Sequence, residues 1–219
     1  MYNFERIFRQ ENKGRVQPHS SHEARRVAPI SDLRACLRTV KGESMKETPQ
    51  QYVKRILGYI EGKDPLKIQK STAKKLQKLI KPLTRKQMRR RPAPEKWSIA
   101  EILAHLADTE VVGSWRMRLI MGSDGTPILG FDQDVWAKTF AYADRDPQHS
   151  LKVFRVLREN NLSMLKAIPP KLWEYHGMHS ERGKETIAHI VRMFAGHDLN
   201  HLQQVEKIVK SGPRQTMRS

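Results

Sequence analysis

Near the C-terminus the chain reads Phe194-Ala195-Gly196-His197-Asp198-Leu199-Asn200-His201-Leu202. Two histidines four residues apart project from the same side of a helix, one turn from each other, and can meet one metal ion together. The pattern is close to the helical zinc motif H-E-x-x-H, in which the Glu serves as general base. Here Asp198 stands in that place. It is a methylene shorter and about 100° round the helix from His197, which suits a supporting role better than that of the base. With nine histidines in the chain, such a pair also arises by chance.

Position gives the pair its weight. Ile187, Ile190, Phe194, Val205 and Ile208 form an apolar stripe on the same predicted helix, and His197 and His201 fall on it. Imidazoles facing a core need partners, because an unsatisfied buried polar group costs about 1–3 kcal/mol. Acids or carbonyls across the core could satisfy them, and so could a metal. A third ligand would come from a facing helix. His105, in Ile102-Leu103-Ala104-His105-Leu106-Ala107-Asp108, lies on the apolar side marked by Ile102, Thr109 and Val112. His189 is rotated off the stripe, His176 and His179 fall in a loop where they are expected at the surface or over a pocket, and His19, His22 and His149 are expected to be exposed.

Several elements must hold these residues. Thr48-Pro49-Gln50-Gln51 starts a helix with Tyr52, Ile56 and Tyr59 on one face, combining an N-cap, a proline at the first helical position and a capping box. A basic helix follows to about residue 81. Ser98 and Glu101 form a second capping box, with Trp97 and Ile102 as a hydrophobic staple, opening a helix that runs to 121. Residues 122–145 read as a long connection rich in turn residues and aromatics, a length often tied to function. Asp146-Pro147 opens a helix that Pro169-Pro170 ends, and a last helix spans 186–209. No segment alternates with period two long enough to predict a sheet. The expectation is an all-α four-helix bundle over 45–212, with a short C-terminal tail at 213–219. Residues 1–44 are polar and aperiodic, and are expected to be a flexible basic extension.

Composition bounds the rest. The chain has 219 residues and only 38% hydrophobic ones, and its mean hydropathy is −0.68, which fits a bundle with a polar tail. No apolar run reaches the ~20 residues needed to span a bilayer, and the first residues lack the apolar core of a secretory signal. The single cysteine, Cys36, excludes an intrachain disulfide; a cytoplasmic location follows as the default. Of the net charge of +18, residues 45–96 carry most, with sixteen Lys/Arg against four Asp/Glu. Lys67, Lys70, Lys74, Lys75, Lys78 and Lys81 recur at helical spacing. This stretch, 67–91, is either a solvated basic face or a contact surface for an anionic partner. No aromatic interleaving and no recognition-helix pattern accompany it, which argues against nucleic acid.

KWSIAEILAHLADTE, followed about ninety residues later by HDLNH, resembles the DinB/YfiT-like family. The resemblance covers 45–210 and implies a four-helix bundle with His105, His197 and His201 as metal ligands and zinc or nickel as the usual occupant. It further implies a thiol transferase or hydrolase type of activity on a small molecule, with a low-molecular-weight thiol as one class of co-substrate, and it allows a homodimer. Three imidazoles leave a coordination position open, where water or a thiol could be activated. Neither Cys36 nor a G-x-S-x-G motif offers an intrinsic nucleophile. Asp108, one turn from His105, and Asp132 and Asp134 in the long connection are the candidate catalytic acids, with a merely solvated role as the alternative for each. Trp136, Phe140 and Tyr142 would wall a pocket or anchor the connection.

Overall fold

The computed structural model describes residues 47–211, so the expectations for 1–44 and 213–219 lie outside the described residues. Seven helices are present among the described residues: α1 (Pro49–Gly58), α2 (Pro65–Ile80), α3 (Arg85–Arg89), α4 (Ile99–Gly122), α5 (Gln133–Thr139), α6 (Pro147–Ala167) and α7 (Ile187–Ser211). Each start follows local chemistry. Thr48 and Ser98 close capping boxes with Gln51 and Glu101, and Asp64 and Asp146 cap helices that carry proline in the first turn.

The four long helices α2, α4, α6 and α7 make the bundle. α4 packs on α6 and α7, and α2 packs on α7 and α6. The consecutive pairs α2/α4 and α6/α7 therefore stand diagonally, and the bundle departs from a simple up-and-down order. α4 is the central element: every residue from Ile99 to Leu106, Glu101 and His105 included, is at most 2% exposed. One core joins Leu76, Ile80, Ile102, Leu106, Phe154 and Val205, and a second joins Met117, Ile120, Leu165, Ile187 and Ile190. α1 lies against α7. No helix among the described residues is long and apolar enough to cross a membrane.

The expectation of no sheet needs amending. Thr126–Ile128 (β1), His176–His179 (β2) and Gly183–Thr186 (β3) form a small sheet in the order β1-β2-β3. β1 runs parallel to β2, with Ile128 opposite His179, and β2 runs antiparallel to β3. Strands of three and four residues are too short to alternate visibly, and their turn glycines make the segments read as loops. The long connection accordingly holds β1 and α5.

Candidate metal centre

α4 and α7 are neighbours in the bundle, and this brings the three histidines together. The Nε2 atom of His197 stands 3.0 Å from the Nε2 of His105 and 3.0 Å from the Nε2 of His201. His105 is 2% and His201 5% exposed; His197 keeps some access to solvent. Of the other described histidines, His149 is exposed, His176 pairs with Asp124 at 2.9 Å and His189 is half-buried beside Glu185. His179, expected at the surface or over a pocket, is 3% exposed because β2 carries it into the interior, where its Nδ1 accepts from the Glu181 N–H at 3.1 Å.

Electrostatics keep the cluster neutral. Burial, reinforced by His201, holds the His105 pKa well below the ordinary histidine value. Burial together with His201 and His105 does the same for His197. Burial brings His201 down to about 4, against the opposing hydrogen bond to Gln204. That bond joins His201 Nδ1 to Gln204 Oε1 at 2.9 Å. Because an amide oxygen only accepts, Nδ1 carries the proton and Nε2 turns its lone pair to the other two rings.

Hydrogen bonding alone serves this arrangement poorly. A ring nitrogen holds either one proton or one lone pair, so His197 Nε2 cannot make linear bonds to two neighbours at once. All three ligand atoms lie within 4.8 Å of one another. Neutral imidazole nitrogens converging in this way are a donor set that fits a divalent cation.

Two cavities meet at His197. The larger, about 720 Å³, is bounded by Trp97, Ile102, Asp134, His197, His201 and Gln204 among others. The smaller, about 370 Å³, is bounded by His105, Thr109, Arg116, Phe131, Phe194 and His197. Both volumes suit small molecules. The aromatic nearest the cluster is Trp97, whose ring lies 4.9 Å from that of His105. Trp136 instead packs tilted against Phe131 at 4.4 Å and edge-on against Phe140 at 5.3 Å, which anchors the connection, and Tyr142 is fully buried.

The candidate acids are placed apart. Asp108 pairs with Arg145 at 2.8 Å. Asp132 caps α5, accepting from the N–H groups of Asp134 and Val135. Asp134 is the one of the three on a cavity wall. Asp198 is 1% exposed and turns away to Arg158, at 3.0 Å from Oδ1. Arg158 also holds Glu110 at 2.8 Å. Burial alone would lower the Arg158 pKa, but the two carboxylates overcome it and raise it. Sequence reading passed over Glu110, Arg158 and Gln204. The signal for Arg158 was present: it interrupts the apolar series Leu151, Phe154, Leu165 on the buried side of α6.

Comparison with known proteins agrees with this geometry. Residues 70–205 match the family model of the DinB superfamily. The chain belongs to the DinB superfamily. A relative from Oceanobacillus iheyensis named "putative metal-dependent hydrolase" is 25% identical over 52% of this chain and 66% of its own length. A protein of the same name from Halalkalibacterium halodurans is 21% identical over 51% of this chain and 64% of its own. This DinB chain thus matches slightly less than two thirds of either relative. YfiT from Bacillus subtilis, described as "a probable metal-dependent hydrolase with an unusual four-helix bundle topology", superposes with a TM-score of 0.62 at 17% identity, covering 78% of this chain and 92% of YfiT. At that identity the likeness establishes the fold.

Proposed function

We propose that His105, His197 and His201 hold a divalent cation, zinc or nickel, and that the protein uses it to activate water or a small thiol against a small electrophilic substrate. The convergence of three neutral Nε2 atoms carries this reading, and the hydrolase names of the relatives support it. When bound, such a cation supplies a Lewis-acid centre with an open position, at which the pKa of water or a thiol falls. The chain does the rest. Gln204 fixes the tautomer and aim of His201. Trp97, against the His105 ring, and Ile102 give the larger cavity an apolar wall beside the cluster. Asp134, which lines the larger cavity together with Glu95, is our candidate for meeting a substrate proton.

Elemental analysis of the purified protein tests the site. Near-stoichiometric metal, absent from the His105→Ala and His197→Ala variants, is the expected result; a stably folded, metal-free protein would overturn it.

A second reading treats the protein as a module for an anionic partner. Lys70, Lys74, Lys75, Lys78 and Lys81 are all exposed, and none pairs with an acid among the described residues. Binding to a polyanion that weakens steeply with salt, and is indifferent to the histidine substitutions, would favour this alternative.

A further inference from the structure

The smaller cavity contains a charge that the proposed metal centre does not use. Arg116 is only 9% exposed. Its spacing from His105 and Thr109, eleven and seven residues, sets all three on one stripe of α4, so they line the same cavity. The guanidinium donates to the Leu129 carbonyl and stands 5.9 Å from the Phe131 ring centre. Among the described residues no carboxylate lies within ion-pair distance of it. Glu185, the buried acid nearby, is engaged by Arg182 at 2.6 and 3.1 Å, and Glu181 is an exposed carboxylate on the cavity rim. Burial, with Arg182 adding to it, lowers the Arg116 pKa against the opposing attraction of Glu185 and Glu181. A buried cation without a matching anion is costly, and a planar fork of five donors with a single carbonyl acceptor has capacity left for a bidentate partner.

We infer that Arg116 is a substrate-binding residue: it takes the oxyanion, a carboxylate or a phosphate group, of a small molecule whose reacting atom reaches the histidine cluster. This rests on the reading of that cluster as a metal centre. Phe131 and Phe194 on the same cavity suit an apolar or neutral body between the two ends, and the Glu181 rim disfavours a second acid beside the first. Eleven residues of helix rise by about 16 Å, and an arginine side chain leaning back toward the helix N-terminus shortens the gap to the order of 10 Å. The molecule expected is therefore a singly acidic chain of several bonds rather than a compact ion.

Calorimetric titration of the full-length, metal-loaded protein with hexanoate and with hexylphosphonate tests the inference. Wild type should bind one molecule per chain, and the preferred probe identifies the kind of oxyanion. Arg116→Met should weaken binding by about tenfold or more, the scale of losing a bidentate charge-assisted pair, with metal content unchanged, and Arg116→Lys should lose less. Wild type stripped of metal by a chelator should keep the affinity of the loaded protein within about threefold. Unchanged binding in Arg116→Met overturns the inference. So does binding that is lost from the stripped protein and kept by Arg116→Met, which would place the acid on the metal and leave the metal centre standing. Arg116-dependent binding in a wild-type protein that cannot be loaded with metal would instead fail the metal reading alone. Should Arg116→Met not fold, the Arg116 Nε–Hε resonance of wild type gives the answer: a shift on adding probe supports the contact, and an unmoved resonance refutes it.

Discussion

His201 and His105 face the same point with unequal support. The Nδ1 of His201 is held by Gln204 at 2.9 Å, whereas the Nδ1 of His105 is buried with no hydrogen-bond partner among the described residues. A held ring loses less freedom on binding a cation and is the better donor. Gln204→Leu should therefore lower metal affinity by roughly tenfold, read by competition against a chromophoric chelator; equal affinity would mean that Gln204 contributes nothing. Protons act on the same rings. The ordinary histidine value is 6.5, and His201 falls to about 4 in the fold. Between these values the unfolded chain binds more protons than the folded one, so acid favours unfolding. The metal-free protein should keep constant stability above pH 6.5 and lose it as pH falls from 6.5 toward about 4. Urea unfolding at several pH values checks this, and His201→Leu should flatten the dependence; an unchanged slope in the variant would exclude His201 as a source.

The approach of α1 to α7 depends on one missing side chain. A Cβ on Gly196 would lie 2.2 Å from the Ile56 carbonyl oxygen, a backbone atom that cannot swing aside. On Gly113 a Cβ would meet the Phe194 ring, also at 2.2 Å, but a ring edge can move. Gly196→Ala should thus destabilise by about 1–3 kcal/mol despite the better helix propensity of alanine, and Gly113→Ala by less. Denaturant unfolding measures both, and the reverse order would refute the packing argument. Because Tyr52 and Arg55 of α1 wall the larger cavity, Gly196→Ala should disturb ligand binding while the histidines keep their metal. The same elements show what a sequence reveals. Caps at Thr48, Ser98 and Asp146 were legible because each is a contact over three residues or fewer. The histidine cluster was legible because two members share a helical stripe and the third lies on an apolar face. The sheet was not, since it depends on β1 finding β2 some fifty residues away. Nor was Trp97 as a neighbour of the cluster; its spacing to Ile102 announced a staple and nothing further.

At the scale of the whole molecule, Arg158 ties the bundle together. From α6 it reaches Glu110 on α4, Asp198 on α7 and the Gln69 carbonyl on α2, while Asn161 donates to the second oxygen of Glu110 at 2.8 Å. Gln69 in turn donates to the Val191 carbonyl of α7 at 2.7 Å. The contacts span 40 to 122 residues of sequence, so they form only when α4 sits beside α6 and α7. An alternative order of the helices would leave charges buried without partners, which penalises it heavily. Arg158→Met removes the one cation shared by two buried carboxylates and should cost about 3–5 kcal/mol of stability. The triple variant Arg158→Met, Glu110→Gln, Asp198→Asn leaves no charge in this network and should recover a large part of that loss. Asp198 directly follows His197, so the single variant should also weaken metal binding by shifting α7. Unfolding and metal titration of the two variants decide the matter: a loss below about 1 kcal/mol in Arg158→Met would reduce the network to an ordinary exposed ion pair.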